Sequence, residues 1–289
     1  MKLKTLLIMI AFYTIIVISL TVYTEHSKLD QPLFADHYIY REEKDIRNAY
    51  IYLYYVTNLN DNPQITSISD SSTEKGIEFN IVSEQELYNE GRYTVHELLI
   101  TPHRYRKDFD NGIDLEELQV TMSDGSRYVT KIGHIYMKEK QDEGNDLFHF
   151  VSTVSSNRGL TESKQYANKE LIVHHAYVPF LKQIQANYDI KINGDLLDYE
   201  IEDEQLESGN APFHPVSIKN APLMLDEGDY LTVIAQLMEQ DKFIAYDFPV
   251  SVLVEADKKY IKEVNLIQDT PRFSKESMQE LLKERGEQP

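Results

Sequence analysis

Residues Tyr188–Tyr199 read YDIKINGDLLDY, and the reading of these twelve positions decides the fold class. Asn193-Gly194 supplies the two positive-φ residues that a type I′ turn requires. Two-residue pairing then puts Tyr188, Ile190 and Ile192 on one face with Asp195, Leu197 and Tyr199. Asp189, Lys191, Asp198 and Glu200 mostly share the opposite face. Register and polarity agree on an antiparallel hairpin with one buried side.

The same period-two texture extends in both directions from this hairpin, beginning at Ile46, with turn residues about every ten positions. Leu118, Val120 and Met122 alternate with Gln119 and Thr121, then Ser123-Asp124-Gly125 leads into a strand from Ser126 to Met137. A two-residue turn would face Leu118 and Val120 with Lys131 and Val129. A three-residue loop with Gly125 left-handed faces them with Thr130 and Tyr128 and brings Ile132 to the same side. The second register buries more and is the expected one. Downstream, Leu231-Val233-Ala235-Leu237 and Phe248-Val250-Val252-Val254 alternate, and Tyr260 to Ile267 closes the series. Pro249 lacks an N–H, which predicts an edge strand or a strand start.

These segments predict a mainly β protein with two antiparallel sandwiches, at residues 46–160 and 166–268, separated by the loop Asn157-Arg158-Gly159. The second region resembles the immunoglobulin-like sandwich. It lacks the Cys…Trp…Cys spacing of true immunoglobulin domains, since the chain holds neither residue type. A likeness of strand rhythm implies a fold and no function.

Thr5 to Tyr23, TLLIMIAFYTIIVISLTVY, contains no charge, proline or glycine and follows Lys2 and Lys4. About twenty apolar residues cross a hydrocarbon core as one helix. The leading lysines orient the N-terminus to the cytoplasm and the remainder outward. Residues 1–24 are therefore expected to be a single-pass signal-anchor in a bacterial cell membrane, with the body extracellular. The competing reading, a cleaved signal peptide, wants a shorter apolar core and small residues at −3 and −1 of a cleavage site. Residues 25–45, rich in acidic residues and without sustained period, read as a stalk. Residues 269–289 read as a helical tail in which Ser274 caps a helix carrying Met278, Leu281 and Leu282 on one face. Its length predicts fraying.

Formal charge is −19, and −21 without Lys2 and Lys4. Such a surface disfavours nucleic acid, whose binding rests on basic side chains neutralising phosphates. Cationic peptides, an envelope protein and, through tyrosine-rich faces, glycans are the partner classes this composition allows. With no cysteine, thiol catalysis and disulfide stapling are excluded, and stability must come from burial.

No catalytic motif emerges. His96-Glu97-Leu98-Leu99-Ile100 lacks the second histidine of a zinc-protease helix. His174-His175 should point to opposite faces of a strand and so not chelate together, and His134 is expected as a satisfied inner-face residue. Placing Gly112 sixth in an EF-hand would make Lys107 and Phe109 ligands, so that loop is absent. A looser calcium cage of Asp108, Asp110 and Asp114 is the candidate metal site. Glu200-Ile201-Glu202-Asp203-Glu204 with Glu207 reads as a solvated acidic loop. Tyr50, Tyr52 and Tyr54 share one strand face and are the candidate partner-binding strip. The expectation is thus a non-enzymatic, membrane-anchored interaction module with no required cofactor. The alternatives are a subunit of a membrane transport or signalling complex, or an envelope enzyme using acidic residues such as Asp108, Asp114, Glu202 and Asp203.

Overall fold

The computed structural model describes residues 9–19, 28–59, 61, 64–71, 76–104, 112–140, 147–156, 159–198, 213–238 and 242–285. Strands dominate, and hydrogen bonds link all eighteen of them into one network. The first eight are β1 (Leu33–Phe34), β2 (Asp36–Glu43), β3 (Ile51–Asn58), β4 (Ile65–Asp70), β5 (Glu78–Glu90), β6 (Tyr93–Arg104), β7 (Ile113–Met122) and β8 (Arg127–Glu139). They form a ring. β2 pairs with β8, β8 with β7, β7 with β4, β4 with β5, β5 with β6, β6 with β3, and β3 returns to β1. Ala35 alone separates β1 from β2, so residues 33–43 close the ring. Inside it lie Phe34, Ile51, Leu53, Tyr55, Leu98, Leu118, Val120, Ile132 and Ile135.

The remaining strands are β9 (Phe148–Ser155), β10 (Leu160–Ala167), β11 (Leu171–Pro179), β12 (Tyr188–Ile192), β13 (Asp195–Asp198), β14 (Phe213–Ile218), β15 (Leu223–Leu225), β16 (Tyr230–Leu237), β17 (Ile244–Glu255) and β18 (Lys259–Asp269). One layer runs β9–β10–β16–β12–β13. The other sets β11 between β14/β15 and β17, with β18 beyond. β13 also pairs with β14, which joins the layers at one end. Val173, Ala176, Ile190, Ile192, Val233, Ala235, Phe248, Val250, Val252 and Val254 fill the space between them.

Both hairpins behave as their turn residues dictate. Asn193 and Gly194 have φ of 49° and 90°, Ile192 faces Asp195, and Tyr188, Ile190, Ile192 and Leu197 are buried. Leu118 faces Thr130 and Val120 faces Tyr128, with Gly125 at φ 85°.

Several expectations are corrected. Residues 25–45 are not a stalk, because β1 and β2 supply Phe34, Ala35, His37, Ile39 and Tyr40 to the interior. β2 lies between two parallel neighbours, β8 and β17, and a strand in that position has no solvent face to mark with polar alternation. The span 46–160 is not separate either: β9 pairs with β10, and β17 pairs with β2. Pro249 lies inside the long central β17, yet in a gap. β2 covers residues 244–247 and β11 covers 251–255, so at Pro249 only the β18 side is in register.

Three helices are described: α1 (residues 9–19), α2 (Leu181–Asn187) and α3 (Lys275–Arg285). α3 is docked rather than fraying. Met278, Leu281 and Leu282 pack with Phe243, Phe273, Tyr54, Val56, Tyr93 and Val95 against the outer face of β3 and β6. Ser274 and Ser277 cap it reciprocally, each hydroxyl accepting the other's backbone N–H at 3.0 and 2.9 Å, and Arg285 donates to Asp36 at 2.5 Å. α1 covers the centre of the apolar stretch. At 1.5 Å per residue it spans roughly half of a 30 Å hydrocarbon core. No helix among the described residues is long and apolar enough to cross a membrane. The flanking parts of the predicted anchor lie outside the described residues.

Candidate interaction surface

The junction where the ring meets the two-layer half is polar at its centre. His37 on β2 is fully buried. Its Nε2 accepts the backbone N–H of Tyr54 at 2.8 Å, so Nδ1 carries the proton and donates to the Ile132 carbonyl at 3.2 Å. The ring thus stands in for a strand partner where β3 diverges from the β1–β2 edge. Burial pushes its pKa down to about 3. Gly133 lets β8 come this close: its φ is 83°, and a Cβ there would lie 2.6 Å from His37 N and O. Further along β2, Arg41 pairs with Asp247 on β17. Burial raises the Asp247 carboxyl to about 6, against the pull of Arg41 and a hydrogen bond from Gln268.

A small cleft opens where α2 meets the ends of β17 and β18, lined by Asn187, Lys242, Ile244, Tyr246, Asp269, Thr270 and Arg272. Asn187 Nδ2 donates to the Gln183 carbonyl at 2.7 Å. Its Oδ1 and the Tyr246 hydroxyl are buried without a partner among the described residues. Burial raises the Asp269 pKa, while a hydrogen bond from the Tyr188 hydroxyl at 3.2 Å opposes that. Internal space is about 10 Å3, the room of a single water.

The sequence candidates scatter. Tyr50 and Tyr52 are 56% and 42% exposed, but Tyr54 is buried under α3. The three-tyrosine strip is therefore corrected to two, because the tail helix covers the rest of that face. Asp114 accepts from or is paired with His134 Nε2 at 2.6 Å, and Asp108 and Asp110 lie outside the described residues. His134 is half-buried beside Phe180, not an inner-face residue. Among the described residues no group of three or more His, Asp or Glu side chains could hold a metal. His174 and His175 break the expected alternation because β11 bulges between Val173 and His175. Both are half-buried, their rings are 6.4 Å apart, and His174 meets Glu255 at 2.8 Å. The acidic loop at 200–207 lies outside the described residues. His96 is buried in β6 and bonded to Thr57 at 2.9 Å.

Sequence reasoning did not single out β9, FHFVSTVS. One edge pairs with β10, and no described strand pairs with the other. Phe150, Val151 and Val154 are 58%, 45% and 58% exposed. An eight-residue run rich in aromatic and β-branched residues, without an acidic or basic side chain other than His149, was the available signal.

No protein-family model matches the chain, and no curated protein matches it in sequence. One solved structure, provisionally described as a membrane-anchored protein from Corynebacterium diphtheriae, aligns with 84% of this chain and 92% of its own. Identity is 10% and the TM-score 0.27. A likeness at that level carries no argument, and function is read from this chain's own residues.

Proposed function

We propose that the chain is a membrane-tethered interaction module without catalytic activity, held by residues 5–23 and displaying its β-rich body outside a bacterial cell. The two-layer half of the body is read as an immunoglobulin-like sandwich, joined to the ring of β1–β8 through the pairing of β17 with β2. The observation that carries this reading is α1. Every one of its residues is exposed, including Ile10, Phe12, Tyr13, Ile15 and Ile18 at 53–69%. The Thr14 hydroxyl is satisfied internally by the Ile10 carbonyl at 2.9 Å. A contiguous apolar surface of this kind belongs in lipid or against a partner. The body has its own buried cores and does not call on α1 to complete them.

The full chain should pellet with membranes and resist alkaline carbonate. Ile15→Arg with Ile18→Arg should move it to the soluble fraction, since each charge costs about 2.5–3.5 kcal/mol at a helix centre in lipid. Protease added to wall-stripped cells should remove everything beyond about Glu25. A soluble mature chain starting near Glu25 would overturn the tether.

A further inference from the structure

We infer that the edge of β9 with which no described strand pairs is a strand-addition site, which takes an extended segment of a basic partner protein as the next strand of the β9–β10–β16–β12 layer. This deepens the interaction-module reading and is independent of the tether.

An unpaired edge presents a row of backbone donors and acceptors to any extended chain. Proteins blunt such edges with charge, and this chain does so elsewhere. Beyond its two-residue pairing with β4, β5 leaves an edge open, and it carries Glu84, Glu86 and Glu90. β18, paired on one side with β17, carries Lys259, Lys262 and Glu263. β9 carries none. Its side chains also favour company on both faces. Phe150, opposite Gln165, stands on the inner side with Thr153 and Ser155, while Val154 and His149 stand on the outer side. Phe148 already packs against the core, so an added strand would extend a packed layer and bury Phe150. Register with β10 skips Val151, a bulge. That twist limits indiscriminate pairing without closing the edge.

Charge selects the occupant. Two copies at −19 each repel, whereas a basic segment is attracted to a chain of that net charge. The partner strand therefore has alternating apolar residues and basic flanks. Main-chain hydrogen bonds supply its affinity and Phe150 and Val154 its side-chain contacts.

The test uses the full chain in detergent micelles and a fluorescein-labelled ten-residue peptide of alternating valine and threonine bracketed by lysines. Anisotropy should saturate, at least tenfold tighter than for a glutamate-bracketed peptide, and backbone amides of residues 148–155 should exchange more slowly. Phe150→Lys with Val154→Lys should weaken binding at least tenfold. Val151→Pro, at the bulge position that has no register partner on β10, should do the same. Unchanged thermal unfolding of both variants identifies the loss as local. Absence of saturable binding, equal binding of the glutamate peptide, or binding indifferent to both variants overturns the proposal. So does a sedimenting dimer abolished by the lysine pair, which would assign the edge to a second copy. Because micelles replace the membrane, peptide binding by a chain that fails to pellet with membranes would sink only the tether.

Discussion

The half of the molecule that contains β5 is closed, and the half that contains β9 is open. In the first, residues 33–43 leave one neighbour and join another at Ala35, and a buried histidine supplies the hydrogen bond that the change of partner leaves unmade. The strand left at the corner, β5, carries glutamates along its free edge, and Tyr88 near its end accepts the backbone N–H of Phe273 at 3.2 Å. In the second, β13 crosses from one layer to the other at one end, and among the described residues the opposite end stops at an uncharged, exposed strand. The same chain protects one edge and exposes the other. That contrast makes β9 a surface for use rather than a leftover.

The strongest way to break the comparison is to open the closed half. Gly133→Ala sets a methyl group against the His37 backbone at a positive φ, where no side chain can give way. A loss of about 3 kcal/mol or more is expected from overpacking and backbone strain together. Urea denaturation measures it, and a change below about 1 kcal/mol would mean that β8 and β2 are not held in this contact.

Acid probes the same closure with a gentler hand. His37 has a folded pKa lowered from 6.5 to about 3, so the unfolded chain binds more protons between those values. Its contribution is complete above pH 6.5 and is lost as pH falls, at about 1.4 kcal/mol per pH unit. Asp247 has a folded pKa raised from 3.8 to about 6, and the folded chain binds more protons between them. That group adds stability as pH falls from 6 to 3.8. The two slopes oppose each other in this window, so the wild type should change little there on their account. Asp247→Asn should uncover the histidine slope of about 1.4 kcal/mol per unit. Identical pH dependence of variant and wild type would show that Asp247 does not carry the raised pKa described, and a variant whose stability stays flat between pH 6 and 3.8 would show that His37 is not the buried neutral acceptor described.

Removing one capping hydroxyl should have a smaller effect. Ser274→Ala should cost about 1 kcal/mol, read as a drop in the thermal midpoint, because α3 is docked and its cap counts toward global stability. An unchanged midpoint would return the tail to the fraying helix that its length alone predicts. The smallest effect on stability, and the sharpest on the comparison, comes from Glu86→Val with Glu90→Val on β5. Folding free energy should move by no more than about 0.5 kcal/mol, as for other exposed positions. Sedimentation should nevertheless show new self-association through an edge that keeps only Glu84 of its three glutamates. A monomeric variant would argue that β5 is guarded by shape, and the inference from uncharged β9 would lose its contrast.

Much of the fold was legible locally. Asn193-Gly194 and Gly125 set their hairpins because a positive φ at a named position leaves few turn types. Inside-outside alternation followed, and with it the buried faces of β12, β16 and β17. Far less of the candidate surface could be read. Tyr54 lies under a helix more than two hundred positions away, and His134 meets Phe180 from another layer. The alternation argument failed at His174-His175 because a bulge is a property of pairing, not of the strand that contains it.

Taken alone, the sequence determined that the chain is β-rich, that it carries no thiol chemistry, that its surface is acidic, and that one apolar stretch needs a non-aqueous neighbour. Those are consequences of composition, turn geometry and short-range periodicity. The tertiary structure decided that residues 33–43 are core strands and not a stalk, that Pro249 lies in a pairing gap inside a central strand, that the tail helix seals the outer face of β3 and β6, and that one edge of β9 has no described strand beside it. The reason is physical. A strand's own residues report how it alternates, but its neighbours come from distant parts of the chain, so an unused edge becomes visible only once every other strand has found its partner.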